Sequence, residues 1–258
     1  MANYHLEVKT LSRGRGNSFA CRANYISGVS LHDKYLDITY SHHRNDVAWA
    51  DVIAPAKAPA EFLDLQTLCK KVEDAEHRYD ARTAREFICS LPNELSTSEQ
   101  IEIVQEFIDK NFIRNGLCAI AAIHKGENLS APERNNPHTH ILVSTRTVGP
   151  DGFSKTKDLD QNQKGSLLIW RKQWAEVQNR AYERNGLDIR VSHESLEVQG
   201  RRDREATVHL SLSDWQKEKR GIHTPAGDRR RAVAERNARR VREKELAREQ
   251  SLEMELSR

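Results

Sequence analysis

Two short apolar stretches, residues 117–124 and 138–145, constrain this chain more than anything else in it. Each has the length of a strand. The loop between them, residues 125–137, is made of turn formers. Together they predict an antiparallel pair. The second stretch opens with His138-Thr139-His140. On a strand, positions two apart share a face, so the two imidazoles project side by side. Thr139, Ile141 and Val143 then fall on the other face, suited to packing under helices. The histidines are expected to face outward from that core.

The flanking sequence supplies the rest of an α+β order. Residues 4–9 alternate as a half-buried strand does. Asn17 or Ser18 can cap a helix running from Phe19 to about Ile26. Residues 35–40 read as a short strand. A helix is expected over about 60–83, with Phe62, Leu65, Leu68, Val72 and Ala75 on one stripe. Residues 86–90 read as a strand. Ser96 and Glu99 form a capping box before a helix that buries Ile101, Val104, Ile108 and Phe112 and stops at Gly116. A further helix over 166–185 puts Leu167, Trp170, Trp174 and Val177 on one face, a packing role. The segment with Trp215 and Gly221 looks irregular. From Asp228 onward the chain is dense in Arg and Glu, as an exposed helix with i,i+4 pairs is. The expected fold is a central, mostly antiparallel sheet with helices packed on one face, plus a charged helical extension at the C-terminal end.

His124 closes the first apolar stretch. If the two strands are neighbours, it arrives beside His138 and His140. Three neutral imidazoles then converge as a divalent-metal site with open positions. A His-x-His pair alone is common, and three unrelated histidines would also satisfy the pattern. The absence of His-Glu-x-x-His argues against a zinc protease. Glu86 falls on the face away from Phe87 and Cys89. There it can accept a histidine's second N–H or remain a solvated surface carboxylate.

The six tyrosines, Tyr25 among them, are equally plausible nucleophiles by composition. The four cysteines show no metal spacing and read as buried thiols of a reducing compartment. No run of ~18 apolar residues is present to cross a bilayer, and no basic-then-apolar leader opens the chain. The expectation is a cytoplasmic protein without membrane insertion. A formal charge of +3 over 258 residues is too mild to establish a nucleic-acid partner.

A set of ordered motifs carries a resemblance. A Tyr-His-Leu strand is followed by Ser-Arg-Gly-Arg-Gly-Asn-Ser and Ala-Asn-Tyr-Ile. Next come Glu86 and Leu91-Pro92-Asn93-Glu94-Leu95, then Ala122-Ile123-His124 and Asn136-Pro137-His138-Thr139-His140-Ile141. The order resembles the MobA/MobL (MobQ-type) relaxases of mobilizable plasmids, members of the His-hydrophobic-His endonucleases. Ser192 to Leu196, Gln199-Gly200, Val208 to Leu210 and Gly221 to Thr224 extend the likeness to about residue 225. Thr139 stands where many relatives carry a hydrophobic residue, Ala or Cys.

The resemblance implies a nicking-closing relaxase domain over residues 1–225 and a charged extension or linker over 226–258. It implies Tyr25 as nucleophile, His124, His138 and His140 as metal ligands, and Glu86 as the site acid, with Glu94 second. The metal would be Mn²⁺ or Mg²⁺, with Zn²⁺ possible. The substrate would be single-stranded and hairpin transfer-origin DNA. The backbone contacts would come from Lys9, Arg13, Arg15 and Arg22, with Gly14 and Gly16 letting the main chain approach phosphates. Accessory mobilization proteins and a type IV coupling protein would be partners. A rolling-circle replication initiator would share the chemistry, whereas a DNA-binding accessory protein or a small-substrate hydrolase would not need Tyr25.

Overall fold

The computed structural model describes residues 4–15, 18–126, 135–160, 163 and 165–256. The chain divides into two compact units, residues 1–193 and 194–258.

The first unit is built on one five-stranded sheet. Its strands are β1 (Leu6–Ser12), β4 (Val47–Ile53), β5 (Arg82–Ser90), β6 (Ala119–His124) and β7 (His138–Ser144), in the order β1-β5-β7-β6-β4, every pair antiparallel. The expected pairing of the two apolar stretches is observed as β6 against β7. The α+β class and the antiparallel sheet hold.

Helices cover both faces of the sheet, not one. Phe87, Cys89, Ala121, Ile123, Ile141 and Val143 pack on one side with α3 (Thr97–Ile108) and α4 (Ser166–Arg184). Ala84, Ile120, Ala122 and Leu142 pack on the other with α1 (Phe19–Ser27) and α2 (Leu65–Asp74). The reason lies in β6, whose every residue is buried. A strand apolar at both parities needs cover on both sides.

The first face is dominated by aromatic packing. Phe87 meets Phe112 and Trp170 at 4.9 and 5.0 Å between ring centres, and Phe107 meets Trp174 at 5.1 Å. These tilted and edge-to-face contacts suit ring quadrupoles and give Trp170 and Trp174 the packing role expected. The Ser96–Glu99 capping box forms as read, and α3 runs on as a π-helical turn over Asp109–Ile113. Cys69, Cys89 and Cys118 are buried thiols, while Cys21 is half-buried.

Several elements differ from expectation. The helix expected over 60–83 is a 3-10 turn at Ala60–Leu63 followed by α2, which ends at Asp74. Arg13 ends it. Its guanidinium takes the carbonyls of Glu73 (2.6 Å), Glu76 (2.8 Å) and Arg78 (3.3 Å), so the chain past α2 wraps a cation instead of continuing the helix. The 35–40 strand is half of a hairpin, β2 (Leu31–Asp33) with β3 (Ile38–Tyr40). A two-residue pair, β8 (Val148–Gly149) and β9 (Gly152–Phe153), precedes α4. The edge strand β4 escapes the pattern reading because its burial is irregular and Asp51 interrupts it.

In the second unit, α5 (Leu212–Lys219) forms where an irregular segment was expected, with Ser211 accepting the Asp214 N–H at 3.0 Å. The expected charged helix is α6 (Pro225–Leu256), with an Arg239–Glu243 i,i+4 pair at 2.7 Å. No helix among the described residues is long and apolar enough to cross a membrane.

Candidate active site

Strand register places the histidines. His124 lies directly opposite His138 across β6 and β7, and His140 lies opposite Ala122, two residues along. All three therefore share one face. Their ring centres are 4.8 to 5.3 Å apart, and one nitrogen from each lies within 4.8 Å of the others. His138 is half-exposed, but the other two do not face outward as expected. His124 is fully buried and His140 nearly so, because α1 crosses this face.

The hydrogen bonds settle where each imidazole keeps its lone pair. A backbone carbonyl can only accept, so the 2.7 Å contact of His124 Nε2 with Ile26 O places the proton on Nε2. His124 Nδ1 is left buried with no hydrogen-bond partner among the described residues. By the same logic His138 donates from Nδ1 to Asn136 O at 2.9 Å, and His140 from Nδ1 to Glu86 Oε1 at 2.7 Å. Lone pairs remain on His124 Nδ1, His138 Nε2 and His140 Nε2. An orphaned buried acceptor beside two more imidazole nitrogens fits a divalent ion.

The electrostatics favour neutral ligands. Burial lowers the His124 pKa to about 4, against the hydrogen bond to Ile26. Burial also lowers that of His140, although Glu86 pulls the other way. For Glu86 itself, burial would raise the carboxyl, but the hydrogen bonds of His140 and Arg22 outweigh it and hold it below its ordinary value. Arg22 descends from α1 to meet Glu86 through both Nε (2.9 Å) and Nη2. Glu86, 4% exposed, is thus ionised, and a solvated surface carboxylate is ruled out. Glu94, the alternative acid, belongs instead with Tyr182 on α4, whose phenol is pushed up by burial first and by Glu94 second.

Tyr25 sits one residue before Ile26, near the end of α1. It is 40% exposed and its ring meets His140 edge-on at 6.2 Å. Of its other neighbours, sequence reasoning singled out Arg22 but missed His42 and Arg44. The His42 ring stacks against it at 6.2 Å, and the guanidinium carbons of Arg22 and Arg44 lie 4.4 and 4.7 Å from its centre. Buried Asn24 binds the 41–46 segment to α1, donating to Val29 O (2.7 Å) and accepting from His42 N (3.3 Å). Gly28 closes the helix at φ 70°, and a Cβ there would stand 3.4 Å from the Arg44 amide nitrogen.

The four expected DNA contacts fare differently. Arg13 is buried, and its donors are taken by Glu73 and the carbonyls after α2, so it is a structural cation with nothing left for a phosphate. Arg22 is likewise bound to Glu86 inside the site. Lys9 is half-exposed and pairs with Glu7 at 3.0 Å; its register opposite Glu86 puts it on the histidine face. The Arg15 side chain, Gly16 and the alternative cap Asn17 lie outside the described residues, as does the 127–134 part of the long loop. Ser18 is the cap of α1, accepting from Cys21 N at 3.0 Å.

The model of the MobA/MobL family matches residues 17–220. The chain belongs to the MobA/MobL family. Mobilization protein MobL of Acidithiobacillus ferridurans is 30% identical, over 92% of this chain and 68% of its own length. A probable mobilization protein MobA of Bifidobacterium longum is 29% identical over 81% of this chain but only 43% of its own length. This MobA/MobL chain thus spans less than half of some relatives it matches. A solved structure described as the molecular basis of vancomycin resistance transfer in Staphylococcus aureus superposes with a TM-score of 0.68. It is 30% identical and covers 75% of this chain and 100% of that one.

Proposed function

We propose that this MobA/MobL chain nicks one DNA strand at a transfer origin by tyrosine transesterification. The single observation that carries the reading is the clustering of three imidazoles, one nitrogen of each within 4.8 Å of the others, beside the half-exposed Tyr25 ring. Tyr25 Oη forms a bond to the scissile phosphorus as the bond from phosphorus to the 3′ oxygen breaks. The product strand ends in a 3′-OH, and the 5′ phosphate stays on Tyr25 as a diester. One ester replaces another, so the step is near-balanced and reversible, as rejoining requires.

His124 through Nδ1, and His138 and His140 through Nε2, would hold the ion. A divalent metal there would supply Lewis-acid stabilisation of the charge on the phosphate; the three imidazoles suit Zn²⁺ by donor type, and Mn²⁺ or Mg²⁺ would draw its remaining ligands from phosphate oxygen and water. Glu86 is a positioning residue, fixing the tautomer and direction of His140. Both its oxygens are engaged, so it does not take the phenolic proton. Lys9 would meet the DNA backbone, and its exposed side chain on the histidine face supports this. Single-stranded and hairpin transfer-origin DNA is the substrate. Accessory mobilization proteins and a type IV coupling protein are the partners, and the setting is cytoplasmic. Family membership favours a transfer origin over a replication origin.

The test is incubation with a labelled transfer-origin oligonucleotide and Mn²⁺, followed by denaturing electrophoresis. An SDS-resistant protein–DNA adduct is expected, absent from Tyr25→Phe and abolished by EDTA. A shifted band that SDS removes would reduce the protein to a DNA binder.

A further inference from the structure

Arg44 stands apart from the other cations near Tyr25. Arg22 is committed to Glu86 and through it to His140. Arg44 makes no hydrogen bond to the three histidines among the described residues. It is instead fixed by Asp46, with Nε to Oδ1 at 2.7 Å and Nη2 to Oδ2 at 2.5 Å, a two-point fork that sets the guanidinium plane. The pair is mostly shielded, with the side chains 16% and 19% exposed. Its backbone is held as well. Lys125 N–H donates to Asp46 O at 2.8 Å, and Asn24 pins the chain at His42. Among the described residues, two of the five guanidinium N–H groups serve Asp46, and the guanidinium carbon lies over the Tyr25 ring, 4.7 Å from its centre.

We propose that Arg44, held in place by Asp46, is a catalytic residue that stabilises the negative charge gathering on Tyr25 Oη during attack and during the reverse, rejoining step. A fixed cation costs no reorganisation at the moment of reaction, and its effect is largest where water is partly excluded. The electrostatics of Arg44 agree: its pKa is raised first by Asp46, against burial, and further by the neighbouring Tyr25. The bonds exchanged are those of the transesterification: Tyr25 Oη to phosphorus forms, phosphorus to O3′ breaks. The phenolic proton goes to solvent and O3′ gains one. Arg44 is charged throughout and takes no proton. This role rests on Tyr25 being the nucleophile, as proposed above.

Because the charge is present on Oη only between the free phenol and the finished diester, loss of Arg44 slows both directions equally. The experiment follows adduct formation on the transfer-origin oligonucleotide with Mn²⁺, at saturating DNA, for wild type, Arg44→Gln and Arg44→Lys. Rejoining is started by adding an oligonucleotide with a free 3′-OH. Arg44→Gln is expected to lower both rates by about 100- to 1,000-fold, with an unchanged final adduct fraction. Oligonucleotide and Mn²⁺ affinities should stay within twofold. Arg44→Lys keeps the charge but not the fork and should recover part of the loss. A normal rate in Arg44→Gln overturns the proposal. So does a loss that disappears at saturating DNA, or a fallen adduct fraction, since these mark DNA grip or ground-state positioning. So does equal impairment in Arg44→Lys and Arg44→Gln. No adduct from wild type sinks the nucleophile reading itself, and this role with it.

Discussion

Replacing Glu86 by Gln tests the site by changing a single atom type. Glu86 accepts from His140 Nδ1 at 2.7 Å and from Arg22 at Nε and Nη2, so three donors point at two carboxylate oxygens. An amide offers one acceptor and one donor group. If its oxygen takes the place of Oε2, opposite Arg22 Nε, its NH₂ faces Arg22 Nη2 and His140 Nδ1, which must then give up its proton. The imidazole proton moves to Nε2, the atom that should carry the ligating lone pair. If the amide turns round, its NH₂ faces Arg22 Nε instead, and the 23% exposed guanidinium can swing toward solvent. One of the two arrangements must be disrupted. Losing such a partner of a metal-ligating histidine costs about 10- to 100-fold in metal affinity, or about 1.4–2.8 kcal/mol. Calorimetric titration of Mn²⁺ into purified Glu86→Gln reads this directly, with a thermal melt to establish that the fold survives. Glu86→Ala removes the acceptor whichever way an amide would turn, so an affinity within twofold of wild type in both Glu86→Gln and Glu86→Ala, in folded proteins, would refute the tautomer argument.

Arg13→Ala should destabilise the fold by about 3–5 kcal/mol, because it leaves Glu73 buried without its cation; urea denaturation measures it, and a normal midpoint with weakened DNA binding would restore Arg13 as a phosphate contact. Metal-free protein should lose stability on acidification. His124 has its folded pKa depressed to about 4 from 6.5. Between these values the unfolded chain takes up a proton that the folded chain refuses, so stability falls as pH drops through that window, by about 3 kcal/mol. Denaturation midpoints in EDTA across pH 4–6.5 check this: His124→Asn should flatten the dependence, and an equally steep one in that variant would contradict the assignment. Lys9→Ala should weaken oligonucleotide binding alike for all sequences and reduce its salt slope by about one unit; an unchanged slope removes Lys9 from the interface.

The metal ligands were legible because strand geometry is simple. Two histidines at i and i+2 share a face, and His124 ends the adjacent strand, so pairing alone brings the three together. The cover over them was less so, yet a sign of it was present. Cys118, Ile120 and Ala122 are as apolar as Ala119, Ala121 and Ile123, and a strand apolar at both parities is buried on both faces. That pattern predicts α1 over the histidines and a buried Glu86. The arginines could not be sorted from sequence. Arg13, Arg15 and Arg22 all precede Tyr25 closely, but Arg13 folds back to the end of α2 and Arg22 down to Glu86, contacts 60 and 64 residues away. Arg44 and Asp46 sit in a polar run without periodicity. The pinning of that run to Asn24 and to Lys125 carries them to Tyr25.

The central claim concerns one oxygen atom. Adduct made with transfer-origin oligonucleotide and Mn²⁺ can be digested with trypsin and nuclease, and the nucleotide-bearing peptide sequenced by tandem mass spectrometry. The account predicts the peptide containing Ala23-Asn24-Tyr25, with a 5′-phosphorylated nucleotide on Tyr25. A nucleotide on Tyr35, Tyr40 or any other residue would contradict it.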